Sequence, residues 1–226
     1  MTSSAILIPA RYESTRFPGK PLAMLEHIPM IKRVYEKCKA TGIDTYVLTD
    51  DQRIYNAIGP NCIIDKAPYE NGTERCCGAV LSRTFDDYDH IVNVQGDMPD
   101  VTEELIRQCL IQLSQYAVST VYTEMPKEEQ ERPSSVKLVR SDDKCLWFGR
   151  GMTGYGDWHL GVYGYTREAL KIYNSLPVPK EEHIEKLEQL RWLKRGWNIG
   201  CKSVYFKGVE INTPEDVDVW HSKNYQ

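Results

Sequence analysis

The stretch Ile6–Leu22 reads "ILIPARYESTRFPGKPL". Ile6, Leu7 and Ile8 form the short apolar run that a buried strand requires, and Pro9, with no N–H to donate, closes it. Arg11, Arg16 and Lys20 follow among Ser14, Thr15 and Gly19, and Glu13 is the one acidic residue in the stretch. Like charges crowded on one turn repel, so an anion settling among them relieves the strain. Two guanidiniums, an ammonium and the amides around Gly19 suit a triphosphate or pyrophosphate. The spacing is neither that of a P-loop, which needs a second glycine before a Lys-Ser/Thr pair, nor that of GxGxxG. A solvated loop whose cations pair with distant carboxylates is the alternative. The position directly after a first buried strand favours phosphate.

Outward from this loop, apolar β-rich runs alternate with helical patterns. "PMIKRVYEKCKATG" is a helix with Ile31, Val34, Tyr35 and Cys38 on one face and Gly42 as its stop. "TYVLTD" and "CIID" are strands around the short helix "DQRIYNAIG". "TERCCGAVLSRTF" is helical, and "HIVNVQGD" is a strand ending in glycine and aspartate. "VTEELIRQCLIQLSQY" is the clearest helix, with Leu105, Cys109, Ile111 or Gln112, and Leu113 at helical spacing, and "AVSTVYTEM" is again a strand. Such alternation gives βαβ units and a mostly parallel sheet, which carries ligands beyond the carboxyl ends of its strands. "PARYESTRFPGK", "TDD" and "QGD" all fall there and can share one crevice.

The pattern changes after Met125. "PKEEQERPSS" reads as a surface connection, and "VKLVR", "KCLWFG" and "WHLGVYGYT" as shorter, more antiparallel strands. "REALKIYNSL" and "EEHIEKLEQLRWLKRG" read as helices, the second burying Ile184, Leu187 and Leu190 or Arg191. "KSVYF" is a strand, and "TPEDVDVWHS" a helix capped by Thr213 with Pro214 at its first position. Residues 1–226 read as a single α/β domain, with the parallel sheet in 1–125 and a smaller mixed β part in 126–226.

The 226 residues are 41% hydrophobic and 27% charged, the balance of an ordinary globular protein. A net charge of -4 gives no global reason to bind nucleic acid or an anionic membrane, so a polyanion must be met locally. No apolar run is long enough for a signal peptide or a membrane span, and the cytoplasm is the expected location. The seven cysteines, odd in number and without a CxxC pair, indicate neither a zinc ribbon nor a disulfide framework but reduced, mostly buried thiols. Asp97, directly after Gly96 at the end of a buried strand, is a carboxylate aimed into the crevice and suited to Mg²⁺. A structural aspartate capping the following helix is the alternative. His159 and Tyr163, four apart on a strand, share a face.

Taken together, "IPARYESTRFPGKPL", "NGTER" (71–75), "VNVQGDMP" (92–99), "HLGVYGYT" (159–166), "EEHIEKLEQLR" (181–191) and "NTPEDV" (212–217) span nearly the whole chain. In this order they resemble the sugar-activating cytidylyltransferases, and specifically the CMP-KDO synthetases (3-deoxy-manno-octulosonate cytidylyltransferases). The resemblance implies a Rossmann-like nucleotidyltransferase fold and transfer of CMP from CTP to a KDO-like sugar acid, with Mg²⁺ as cofactor. The first half would then be mainly CTP-binding. The second would be mainly sugar-binding, and homodimerisation through it is implied as well. Ala10, Arg11, Ser14, Arg16, Lys20, Gly72, Thr73, Glu74 and Arg75 become the CTP site, with Arg16, Lys20 and Asp97 catalytic. Gln95, Arg150, His159, Tyr163, Glu188, Gln189 and Arg191 become the sugar site, and Asp97 and Asn212 the metal ligands. The product would feed cell-surface lipopolysaccharide or related polysaccharide synthesis. A synthetase for a sialic-acid-like nonulosonate and an inactive nucleotide- or sugar-binding homologue are the rival readings.

The chain departs from the family pattern at three places. Asn212 stands where an aspartate usually opens the closing motif, giving up a unit of charge. Glu210 or Asp216 could compensate, although side-chain direction argues against Glu210 as a simple swap. Met98 replaces the acidic residue common after "QGD", and "RGMTGYGDWH" (150–159) is much shorter than usual.

Overall fold

The computed structural model describes residues 2–14 and 16–224. Its first half follows the expected alternation: β1 (Ser4–Ala10), a small hairpin of β2 (Met24–Leu25) and β3 (Ile28–Pro29), α1 (Met30–Lys39), β4 (Asp44–Thr49), α2 (Gln52–Ile58) and β5 (Cys62–Ile64). Then come α3 (Gly72–Leu81), β6 (His90–Val94), α4 (Glu103–Gln112) and β7 (Val118–Thr123). The second half comprises α5 (Lys127–Gln130), β8 (Lys137–Ser141), β9 (Lys144–Gly149), β10 (Asp157–Thr166), α6 (Arg167–Ile172), α7 (Lys180–Glu185), α8 (Leu190–Leu193), β11 (Ile199–Ser203) and α9 (Pro214–Asn224).

Nine strands form one sheet in the order β5-β4-β1-β6-β10-β7-β11-β9-β8. From β1 the chain steps outward to β4 and β5, then returns to place β6 on the other side of β1, all in parallel. The crevice beyond the carboxyl ends of β1 and β6 is therefore a topological switch point. The antiparallel strands expected of a smaller β part are hydrogen-bonded into this same sheet. β10 lies between β6 and β7 and runs against both, and the start of β8 pairs with the start of β10. Because β10 is reversed, its beginning lies at the edge where β6 and β7 end.

Helices cover both faces. The stripe Ile31, Val34, Tyr35, Cys38 of α1 and Leu105, Ile106, Cys109 of α4 pack on Ile6, Ile8, Val92 and Val94. Cys76, Cys77 and Val80 of α3 with Ala169 and Leu170 of α6 pack on Ala5, Leu7 and Ile91. The alternation along β1 and β6 thus sends successive side chains to two separate cores. All seven cysteines are free and buried, Cys76 and Cys77 both among them. No helix of the described residues is long and apolar enough to cross a membrane.

Three expectations need correction. "PKEEQERPSS" is not a bare connection but contains α5. The strand placed at "KSVYF" lies earlier, at Ile199–Ser203, because that register pairs with β7. The single helix expected over 181–196 is broken in two: Lys186 adopts a left-handed conformation (φ 55°), ending α7 before Leu190 opens α8. Leu187 and Leu190 are buried as expected, but Ile184 is 75% exposed, because the break turns it away from the core.

Candidate active site

β1 ends at the buried Ala10 and delivers the cationic loop to the switch point. The loop is closed by its own backbone: Gly19 N donates to Tyr12 O at 3.0 Å, with Gly19 at a φ of 72°. That conformation costs an L side chain on the order of 1–2 kcal/mol, which glycine avoids. The next residue, Lys20, is thereby turned back across the crevice. Its Nζ lies 2.6 Å from Asp97 Oδ2 and 3.2 Å from Ile211 O.

Asp97 sits just past β6, where Gly96 lets the two strand ends approach: a Cβ there would come 3.2 Å from Pro9 O and 3.1 Å from Ile31 Cδ1. Ile211 N donates to Asp97 O at 3.0 Å, which draws the 210–212 segment alongside. Burial and the neighbouring charge of Asp97 push the carboxyl of the half-buried Glu210 up to about 8. Asn212 lines the same narrow groove as Glu210, with Glu129, Arg132 and Ser134. Asp216 is occupied elsewhere. Its Oδ2 accepts the N–H groups of Asn212 (2.8 Å) and Thr213 (2.9 Å), capping α9, and its Oδ1 accepts from Arg132 at 2.8 Å. Met98 is fully buried in the core beneath α4, a position that suits an apolar side chain.

The half-buried Arg150 has no carboxylate ion-pair partner among the described residues. Its guanidinium donates to two backbone carbonyls, Glu185 O at 3.0 Å and Ser134 O at 2.5 Å, within electrostatic reach of Glu210, Tyr163 and Arg16. A planar cation held this way is poised for a carboxylate ligand. Arg16 is exposed and forms no hydrogen bond or ion pair among the described residues, as suits a ligand-facing cation.

Tyr163 pairs with Asn93 across β10 and β6, and its ring lies tilted with its centroid 5.2 Å from that of His159. His159 is buried against Phe148, and burial pushes its imidazole down to about 3, so the ring is neutral. Thr120 Oγ1 gives its proton to Val162 O at 2.8 Å, so the 3.0 Å contact from His159 Nε2 must be a donation and Nδ1 is left an acceptor. Gln95 joins this group through its contact with Asn93 Oδ1 at 3.5 Å. Glu188 accepts the Thr73 N–H at 2.8 Å, near the start of α3, and lies within reach of Tyr163; burial pushes its carboxyl up despite that hydrogen bond. Gln189 is buried with Nε2 unpartnered, as is Asn93 with Nδ2, and such orphaned groups indicate a missing hydrogen-bonding partner.

The other residues expected at the site make protein contacts. Arg11 donates to Glu70 O at 3.3 Å on the rim, and Ser14 Oγ accepts from Phe17 N. Asn71 caps α3, and Gly72 opens it. Glu74 divides its oxygens between Glu70 N and Arg191. Arg75 is buried on Asp50 (2.7 Å) and Asp65 O (2.8 Å). Arg191, 2% exposed, is enclosed by Glu182 and Glu74 with Tyr173 beneath its guanidinium. These contacts tie Glu74, Arg75 and Arg191 into the frame around α3. Sequence reasoning missed Asn93 and Thr120, although a polar residue inside "HIVNV" and another inside "VSTVYT" were the available signal.

A cationic loop at the switch point, opposite a carboxylate on the neighbouring strand end, defines a nucleotidyltransferase of Rossmann-like fold. The chain belongs to the cytidylyltransferase family, which matches residues 5–204. It is 37% identical to the 8-amino-3,8-dideoxy-manno-octulosonate cytidylyltransferase of Shewanella halifaxensis, over 96% of this chain and 97% of that one. The Shewanella amazonensis enzyme of the same name is 39% identical over 94% of each chain. Among solved structures, CMP:2-keto-3-deoxy-manno-octonic acid synthetase complexed with CTP matches with a TM-score of 0.87 and 31% identity, covering 99% of this chain and all of that one. The inositol-1-phosphate CTP transferase of T. maritima shares the fold alone, with a TM-score of 0.66 at 12% identity over 97% of this chain and 94% of that one.

Proposed function

We propose that the protein transfers CMP from CTP to a 3-deoxy-2-ulosonic sugar acid, releasing pyrophosphate. The acceptor is KDO or its 8-amino-8-deoxy analogue, the sugar in the names of the Shewanella relatives. The observation that carries this reading is the Lys20–Asp97 pair at the strand ends together with Arg150, which forms no ion pair among the described residues and lies within electrostatic reach of Arg16. Together these groups present cations for phosphates and a guanidinium for a sugar carboxylate.

The anomeric hydroxyl attacks the α-phosphorus in line, so no covalent side-chain intermediate is needed. Arg16 and Lys20 take up charge on the departing pyrophosphate, with Arg11 on the rim. Arg150 orients the acceptor through its carboxylate, and neutral His159, Tyr163 and Gln95 offer hydrogen bonds to its hydroxyls. Among the described residues no cluster of three or more His, Cys, Asp or Glu could hold a metal ion. Oxygen ligands from Asp97 and Asn212, on segments joined by the Ile211 N–Asp97 O hydrogen bond, nevertheless fit Mg²⁺, which keeps waters and binds through one or two carboxylates plus phosphate. When bound, the ion would neutralise phosphate charge and acidify the attacking hydroxyl. Action in the cytoplasm is part of the same reading, and the family resemblance supports pairing of two copies through the second half.

The test is pyrophosphate release from CTP and Mg²⁺ with KDO, 8-amino-KDO and N-acetylneuraminate in separate reactions, with Asp97→Ala as control. Release with an octulosonate, abolished by the substitution, is expected. Release with N-acetylneuraminate alone, or with none of the three despite CTP binding, would overturn the assignment.

A further inference from the structure

Lys137 opens β8, paired with Gly149 of β9 on one side and Trp158 of β10 on the other. It is 2% exposed and forms no ion pair among the described residues. Lysine is almost never buried without a charged partner, because an ammonium taken out of water is costly. An apolar side chain would fill the place at lower cost, so the reason for a lysine lies in what its nitrogen holds.

Nζ donates to Arg132 O at 3.0 Å and to Arg150 O at 3.2 Å. Both carbonyls belong to one assembly. Arg132 O also accepts Ser135 N at 3.1 Å, closing a turn over 132–135, and within that turn Ser134 O accepts Arg150 Nη1 at 2.5 Å. Lys137 therefore grips Arg150 twice, at its main chain and through the turn whose carbonyl fixes its guanidinium. Glu185 completes the seat, with Oε2 accepting Arg150 N at 2.8 Å and the main-chain O accepting Nε at 3.0 Å. Nε and one N–H of Nη1 are spent on these carbonyls, and Nη2 stays available to a ligand. The short segment 150–159 returns to the same lysine at Gly156, where an added Cβ would lie 3.1 Å from Lys137 Cβ. An ammonium, with three donors and no acceptor, suits the bridging of two carbonyls. Its charge is repelled by that of Arg150, and an arriving carboxylate relieves both.

We propose that Lys137 is a positioning residue for the sugar acid, holding Arg150 in the pose in which its guanidinium meets the acceptor's carboxylate. The inference rests on the proposed role of Arg150 in binding that carboxylate.

The test is pyrophosphate release by the intact protein, with the octulosonate varied at saturating CTP and then CTP varied at saturating octulosonate. Lys137→Met is expected to raise KM for the octulosonate roughly 10- to 100-fold, the scale of a misplaced binding group, and to leave KM for CTP within about twofold. Arg150→Met should raise the octulosonate KM at least as far, and adding Lys137→Met to it should raise it no further, since the lysine acts through the arginine. Lys137→Gln, which keeps a donor, should fall between Lys137→Met and the wild type, and it carries the same measurements if Lys137→Met does not fold. An unchanged octulosonate KM in the lysine variants with a rise in Arg150→Met would overturn the proposal and leave the role of Arg150 intact. An equal rise in KM for CTP, or full additivity in the double variant, would make Lys137 a structural residue and overturn it as well. An unchanged octulosonate KM in Arg150→Met would remove the carboxylate site itself, and the proposal with it.

Discussion

Lys20 and Asp97 are 77 residues apart in sequence and 2.6 Å apart in space. Each was legible separately, as a phosphate-binding cation and a crevice carboxylate, because each follows an apolar strand. Their pairing was not, because it depends on how far Gly19 turns the loop. Lys20→Met should lower kcat for pyrophosphate release by about 10²–10³-fold, the scale of losing one preorganised charge, with the melting temperature little changed. His159 makes a different kind of statement. Its imidazole is held neutral, down to about 3 against an ordinary value near 6.5. Below pH 6.5 the unfolded chain takes up a proton that the folded chain refuses, so stability present above 6.5 is lost as pH falls toward 3. From this group alone the loss between pH 7 and pH 5 is about 2 kcal/mol. Urea unfolding at the two pH values should therefore show a smaller difference for His159→Gln than for the wild type. The pH profile of kcat/KM should carry no limb from this histidine near 6.5.

The elements that could be read from sequence were those whose apolar stripe meets a flat sheet, such as α1 and α4. The break between α7 and α8 could not, since "HIEKLEQL" contains neither glycine nor proline and its periodicity runs on unbroken. Tertiary demand overrides local pattern here. Lys186 adopts a left-handed conformation so that Leu187 and Leu190 stay buried while Arg191 meets Glu182 and Glu74. Arg191 donates through Nε to Glu182 at 2.9 Å and through Nη2 to Glu74 at 3.0 Å, tying α7, α8 and α3 together. Arg191→Met should cost about 3 kcal/mol in urea denaturation at pH 7, because it strands the buried Glu182 and removes a partner of the half-buried Glu74.

At the scale of the molecule, β10 joins the halves: it separates β6 from β7, and both depend on it for hydrogen bonds. The split at residue 125, natural in sequence because composition changes there, cuts across this arrangement. A fragment of residues 1–125 should show no cooperative thermal transition by circular dichroism, since β6 and β7 would both be left as open edges. The same architecture imposes an order of events on biosynthesis. About 40 residues separate the end of β7 from the end of β10, so at about 5–20 residues per second a ribosome leaves the two edges exposed for roughly 2–8 s. During that interval the nascent chain carries two adhesive β edges. It is then most exposed to mispairing and most dependent on chaperones.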